Sequence, residues 1–428
     1  MTRRSLAEWL DYQQRIHPRS IELGLGRVRA VWQRLGAPRP APVVVTVGGT
    51  NGKGSTVAFL EAMLAADGRR VGAYTSPHLV RYNERVRIEG SDVADDALVD
   101  AFDRIEAARG DVALTYFEFG TLAALHLFAR AGLDVAILEV GLGGRLDAVN
   151  IVDADAAIVT TVDLDHQDWL GEDRESIGRE KGGIFRPGRP AVVAEADPPA
   201  SLIAAAADAG AALHRVGHEY TFEATRDAWR WHAGATTFEL PLPALAAPSQ
   251  FANAAGAIAA LHALRDRLGW NPRAIAAGVA HAHVPARLQR FAGAPEIVVD
   301  VAHNPQAARV LAQWLAATRR QGRTLAVFGA LDDKDAGGIV AALHAQVDGW
   351  HLAGLDHESP RGLSAQALRD RIAPPLDAVA CRVHADVDAA LDAACADAAA
   401  HERVIAFGSF HVAGPALEYA LRRRGATR

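Results

Sequence analysis

The run Val43-Val-Val-Thr-Val-Gly-Gly-Thr-Asn-Gly-Lys-Gly-Ser-Thr56 decides the reading of this 428-residue chain. Five residues, four of them valine, predict a buried strand, the glycines a tight turn, and Val57-Ala-Phe-Leu-Glu-Ala-Met-Leu64 a helix behind them. A strand that runs through a glycine turn into a helix points backbone N–H groups and a helix N-terminus at one spot. With Lys53 as a point charge and Ser55 and Thr56 as hydroxyls, the layout suits a nucleotide triphosphate with its divalent ion. Gly54 separates Lys53 from Ser55, so the spelling departs from the common phosphate loop. An ordinary glycine-rich turn is the plainer alternative; the flanking strand and helix favour nucleotide binding.

Working outward, short β-branched runs alternate with Ala/Leu-rich helical patterns, which predicts parallel α/β architecture. Strands are expected at 43–47, 71–74, 135–140, 156–161 and 191–194, and a helix at 117–131. The segment 214–242 alternates and carries Trp229 and Trp231, as a small antiparallel patch would. After the Pro-bearing stretch His281–Arg287 a second α/β series begins, at 297–301, 324–328, 349–352, 380–383 and 404–406. Two domains are therefore expected, 1–284 and 285–428, as the length also suggests. The fold class is α/β, with an N-terminal phosphate-loop domain and a C-terminal Rossmann-like one.

A formal charge of −6 and the lack of any basic block argue against a nucleic-acid partner. The chain shows neither a signal-peptide core nor an apolar run long enough for a bilayer, so no membrane association is expected. The two cysteines, Cys381 and Cys395, sit in Ala-rich surroundings that read as helical and fit a reducing compartment; the cytoplasm is the expected location.

Three further motifs fall at predicted strand ends, where open α/β sheets bind ligands. They are Thr75-Ser-Pro-His78, Glu139-Val-Gly-Leu-Gly-Gly-Arg-Leu-Asp147 and Leu164-Asp-His-Gln-Asp-Trp-Leu-Gly171. Singly, Ser76 reads as a turn hydroxyl, Glu139 as an ion-pair member and His166 as a helix cap. At successive strand ends they read better together, as hydroxyl, carboxylate and imidazole around Mg²⁺ or Mn²⁺.

With the phosphate loop, these spellings resemble the folylpolyglutamate synthase family, in particular its bacterial members that also have dihydrofolate synthase activity. The likeness runs from Ile21-Glu-Leu-Gly-Leu25 to Gly408-Ser-Phe-His411. The family shares its two-domain fold with the Mur ligases. The resemblance implies ATP-dependent ligation of L-glutamate to 7,8-dihydropteroate and to the γ-carboxylate of folates through an acyl phosphate. Folylpolyglutamate synthase activity alone, or a Mur-type amino-acid ligase, are the alternatives.

Carried over by resemblance, Thr50, Asn51, Gly52, Lys53, Gly54 and Ser55 hold ATP, with Asn253, Arg287, Asp300 and His303. The metal ligands become Ser76, Glu139 and His166, with Ser55 and a carbamylated Lys181 for a second Mg²⁺. Lys53, Lys181, His166 and Glu139 are the expected catalytic residues. Read by itself, Lys181 is a surface charge near a helix end. Glu22, Leu23, Gly24, Leu25, Thr115, Leu146, Asp147 and Ala148 match pterin-binding positions. His303, Lys334 and Ser409 are the expected glutamate site; a loop lysine and a turn serine are the plainer readings of the last two. The family has glycine where Ala286 stands. The two domains are expected to close during turnover, and a monomer is expected.

Overall fold

The computed structural model describes residues 4–17, 21–225, 227–319, 321–376 and 380–426. The chain divides into two compact units, Met1–Ala244 with Gln250–His283, and Leu245–Ser249 with Val284–Arg428.

In the first unit, β1 (Val43–Gly48), β2 (Val71–Tyr74), β3 (Val86–Ile88), β4 (Ser91–Asp92), β5 (Val135–Glu139), β6 (Ala156–Val159), β7 (Pro190–Val193) and β8 (Ala212–Arg215) form one sheet. Its order is β4-β3-β2-β5-β1-β6-β7-β8, parallel except at β3 and β4. Strands β1, β2, β5 and β6 are buried along their whole length, as apolar runs covered on both faces by helices must be. On one side lies a core that includes Trp9, Tyr74, Phe102, Phe119 and Phe128. Because β1 sits between β5 and β6, the loop after it lies between Glu139 and the Thr160–His166 segment.

The antiparallel patch is β9 (Thr221–Ala224), β10 (Trp229–Ala233) and β11 (Thr236–Leu240). It starts later than 214, because His214 belongs to β8 and pairs in parallel with β7. Strands β3 and β4 went unanticipated: two or three residues show no periodicity.

The second unit holds β12 (Gln289–Phe291), β13 (Glu296–Val299), β14 (Thr324–Phe328), β15 (Gly349–Ala353), β16 (Ala380–His384) and β17 (Arg403–Phe407). Their order is β12-β13-β17-β14-β15-β16, with only β12 antiparallel. Cys381 lies on β16, where the strand expected at 380–383 puts it and against the helical reading of its Ala-rich surroundings, paired with Trp350 of β15. Cys395 is helical and buried.

Candidate active site

The turn after β1 is held from one side by the end of β6. Thr160 Oγ1 donates to the Asn51 carbonyl at 2.6 Å, Asn51 N donates to Thr161 Oγ1 at 2.9 Å, and Thr50 N donates to the Thr161 carbonyl at 2.8 Å. Thr50 Oγ1 also donates to the Asp163 carbonyl at 3.1 Å. Two glycines are required by contact as well as by torsion: Gly49 has φ +144 and Gly52 φ +86. A Cβ on the first would strike Thr160, and on the second the side-chain amide of Asn253.

Gly52 caps the Lys53–Ala66 helix with no side-chain hydrogen bond, so the N-terminus of that helix begins directly at the turn, the arrangement in which helices receive anions. Lys53 Nζ arches back over the turn, 3.0 Å from the Gly49 carbonyl and 3.1 Å from that of Thr50. Ser55 is buried and accepts from Gln250 Nε2 at 3.3 Å; Gln250 in turn accepts from Asn253 Nδ2 at 3.0 Å. The helix Gln250–Ala263 thus braces the loop from the other side.

Of the expected metal ligands, Ser76 and Glu139 are in contact: the Ser76 N–H donates to Glu139 Oε2 at 3.3 Å. Glu139 ends β5 and is buried. His166 occupies a left-handed position, φ 52, at the start of a single helical turn. That conformation turns the chain after Asp165, whose carboxylate accepts from the His166 N–H at 2.9 Å. His166 does cap this turn, through its backbone only. Among the described residues no three His, Cys, Asp or Glu side chains gather as a metal cage. The residues expected to bind the ion offer hydroxyl, carboxylate and imidazole instead, a set compatible with Mg²⁺ or Mn²⁺ that keeps water or phosphate ligands.

Lys181 is no surface charge. It is buried within the Arg174–Gly182 helix, and its amine falls to about 7, first through burial and then through the nearby Lys53 cation, with Asp165 acting against both. A Cβ on Gly144 would lie 2.9 Å from the Glu180 carbonyl and 3.0 Å from that of Lys181, so the Gly143-Gly144 turn presses against this helix. Burial likewise raises Asp147 to about 6, against hydrogen bonds from the Leu142, Val149 and Gly141 N–H groups and the pull of Lys53.

The expected pterin-binding segments are knitted together in the first unit. Gly24 N donates to the Leu146 carbonyl at 3.3 Å. Thr115 caps the Tyr116–Arg130 helix in a capping box with Glu118. Arg27 joins that box to the N-terminal segment, donating to Glu118 Oε1 at 3.1 Å, to the Glu22 carbonyl at 2.9 Å and to the Glu22 carboxylate. Asp147 caps the turn Ala148–Ile151.

In the second unit, Asp300 accepts from the Leu288 and Ala302 N–H groups, both at 2.8 Å, and burial raises its carboxyl against the nearby Arg287. Ala286 sits at φ 54, a left-handed position that favours glycine and gives the departure at 286 its conformational meaning. The Arg287 guanidinium lies 5.6 Å and the His303 ring 6.4 Å from the Phe410 ring. Next to Phe410, Ser409 Oγ accepts from the Val412 N–H at 3.2 Å and so starts the last helix. Lys334 is mostly buried, with its ammonium 3.8 Å from Asp333 Oδ2. An exposed loop lysine would be solvated, and this one is not.

The motifs did not mark Thr160, Thr161, Asp163, Gln250 or Arg27, which hold the expected residues in place. Nor did they mark the run Tyr82-Asn-Glu-Arg-Val-Arg87 after Ser76. Glu84 there accepts from the N–H groups of Leu79, Val80 and Arg81 at 2.7–2.9 Å and so shapes the Ser76–Arg81 loop. The cluster of charged residues at Glu84, Arg85 and Arg87 was the available signal.

Residues 47–261 match the Mur ligase middle domain, and residues 286–410 the Mur ligase glutamate ligase domain. The dihydrofolate synthase/folylpolyglutamate synthase of Escherichia coli is 49% identical over 422 residues, spanning 98% of this chain and 96% of that protein. The Haemophilus influenzae protein of the same description is 40% identical over 424 residues, 95% of each chain. Among solved structures, E. coli FolC in complex with DHPP and ADP superposes with a TM-score of 0.92 at 48% identity, covering 98% of this chain and 99% of that one. A bifunctional folylpolyglutamate synthase/dihydrofolate synthase with Mn, AMPPNP and L-glutamate bound superposes at 0.90, with 48% identity and 98% coverage of both chains. Among the described residues, no helix is long and apolar enough to cross a membrane. The chain belongs to the dihydrofolate synthase/folylpolyglutamate synthase family and is an ATP-dependent ligase with the Mur ligase fold.

Proposed function

We propose that the chain joins L-glutamate to 7,8-dihydropteroate and to the γ-carboxylate of folates, with the residues named above in the roles that follow. The observation that carries the reading is the turn at Gly49–Lys53, clamped by Thr160 and Asn253 at the N-terminus of the Lys53–Ala66 helix. Relatives that share this frame hold ADP, AMPPNP, DHPP or L-glutamate.

A carboxylate is a poor acyl donor. Its oxygen attacks the γ-phosphorus of ATP, the bond to the bridging oxygen breaks, and ADP leaves. The glutamate amine then attacks the acyl carbon, inorganic phosphate leaves, and the amine loses a proton. Attacker and phosphate are both anionic, so the barrier is chiefly electrostatic. Lys53 and the N–H groups at the start of its helix meet the developing charge on the γ-phosphoryl. Asn253, Arg287, Asp300 and His303 complete the nucleotide contacts. Ser55, Ser76, Glu139 and His166 would hold the divalent ions, which neutralise phosphate charge when bound. Lys181, as a carbamate, would change sign. A buried cation repelled by Lys53 becomes an anion beside it, which fits the depressed amine at this position.

Glu22–Leu25, Thr115 and Leu146–Ala148 bind the pterin, which matches their connection through Arg27 and the Gly24–Leu146 hydrogen bond. His303, Lys334 and Ser409 receive glutamate on the second unit. We assign the chain to the cytoplasm as a monomer, which sedimentation of the purified protein checks. The experiment that tests the function is ADP release with dihydropteroate or tetrahydrofolate, each with and without glutamate. Glutamate-dependent turnover with both is expected. Turnover with tetrahydrofolate alone removes the dihydrofolate synthase activity, and turnover with neither removes the reading.

A further inference from the structure

Arg85 and Arg87 lie two residues apart and are treated differently by the fold. Arg87 forms a two-point ion pair with Glu61 on the phosphate-loop helix, at 2.7 and 3.1 Å, and donates to Thr75 Oγ1 at 3.2 Å. Arg85 is more buried, with 9% of its surface exposed, yet no carboxylate among the described residues pairs with it. Its Nε donates to His78 Nδ1 at 2.9 Å, and its guanidinium lies 5.3 Å from the Tyr82 ring and 5.5 Å from that of Tyr116. The adjacent Glu84 is committed to three backbone N–H groups. The two terminal nitrogens of Arg85 have no protein acceptor among the described residues, nor are they among its fully enclosed unpartnered atoms. A guanidinium taken from water without an anion costs several kcal/mol by order of magnitude, so an uncompensated one calls for a ligand.

Its position indicates which ligand. The Arg85 carbonyl accepts from the Thr75 N–H at 2.9 Å, which places the residue beside Ser76. Tyr116, whose ring faces the guanidinium, directly follows Thr115 of the expected pterin site. Both phenols are raised by burial, so neither supplies an anion. Arg85 therefore stands between a metal corner and a pterin-binding segment, with aromatic faces on its sides and its fork unspent.

We propose that Arg85 is the receptor for a carboxylate of the pteroyl substrate, gripped through its two terminal nitrogens between Tyr82 and Tyr116. The inference rests on the proposed function and adds to it a residue that selects among its substrates. Two carboxylates have the right chemistry: the benzoate of dihydropteroate, and the α-carboxylate of the glutamate already attached to a folate. A planar fork suits either, and a lysine would not reproduce the two-point grip.

The test measures equilibrium binding of dihydropteroate and of tetrahydrofolate to wild type, Arg85→Met, Arg85→Lys and Arg87→Met, with ADP affinity and thermal midpoint alongside. Arg85→Met is expected to weaken a pteroyl ligand about ten-fold or more, as loss of a charge-assisted contact does. ADP affinity should stay unchanged, and the midpoint should hold or rise because an uncompensated buried charge has gone. Arg85→Lys should recover only part of the affinity. Arg87→Met should lower the midpoint, since it strands Glu61. Weakening of tetrahydrofolate alone assigns the α-carboxylate, weakening of dihydropteroate alone assigns the benzoate, which is an amide in tetrahydrofolate, and weakening of both assigns Arg85 one carboxylate in each ligand. A lowered midpoint with both affinities intact would show an aromatic brace and overturn the proposal, as would unchanged affinity at unchanged midpoint. If wild type binds neither compound, the proposed function falls and takes this inference with it. If wild type binds and Arg85→Met binds equally well, only this inference falls.

Discussion

The side-chain amide of Asn253 fills the space that a Cβ on Gly52 would need. Residues two hundred positions apart thereby fix the height of the phosphate loop, and Gly52 holds a left-handed torsion that a side chain would strain. Gly52→Ala should therefore push Asn253 aside and lose nucleotide binding, at a stability cost of about 1–3 kcal/mol. Titration with ADP and chemical denaturation of the same sample check both. Asn253→Ala should weaken ADP while leaving stability within about 1 kcal/mol, since it removes one hydrogen bond to Gln250.

Lys53 is placed by two carbonyls of the loop it serves. Removing one donor to a developing oxyanion costs about 3–4 kcal/mol of transition-state stabilisation, so Lys53→Ala should lower kcat by about 10²–10³-fold. Steady-state ADP release measures it, and a variant retaining near-normal turnover would contradict the assigned role.

Lys181 carries a pH dependence. Burial, then Lys53, depress its amine to about 7, so the neutral form, the one the proposed carbamylation requires, gains population as pH rises through that value. Protein stripped at acid pH should regain activity with bicarbonate faster at about pH 8 than at about pH 6. For the unmodified amine the linkage runs the same way. Its folded value lies below the unfolded one, so its contribution to stability rises with pH between about 7 and about 10. Lys181→Ala should be inactive and partly restored by a short carboxylic acid, which supplies the missing anion.

At the opposite end of the sheet, Asp155 is buried and accepts from the Val44 N–H at 2.8 Å, with Arg39, Arg189 and Arg267 around it. Burial raises its carboxyl, but the Val44 N–H and the arginines outweigh it and hold the group below its usual range. Its stabilisation is present above the unfolded value of about 4 and is lost as pH falls through the lower folded value. Asp155→Ala should cost about 3 kcal/mol, the low end for a buried pair, because the arginines are partly exposed. Urea denaturation at neutral pH measures the loss.

Much of this protein could be read from local sequence. Val43–Thr56 announced its strand, turn and helix because β-branched, glycine and hydroxyl residues have short-range conformational consequences. The strands at 71–74 and 324–328 fell where their apolar runs placed them, and the family spellings pointed to a glutamate ligase. What local sequence did not carry is contact across the chain. Lys181 reads as a surface charge until Lys53 and the Gly143-Gly144 turn are packed against it. His214 reads with the antiparallel patch until β8 finds β7. Arg85 and Arg87 look alike in the sequence, and only the fold gives Glu61 to one and leaves the other, among the described residues, without an acid. Backbone preference is set by a residue and its neighbours, so sequence determines it. Burial and charge compensation are set by what arrives from elsewhere in the chain, and those the tertiary structure decided.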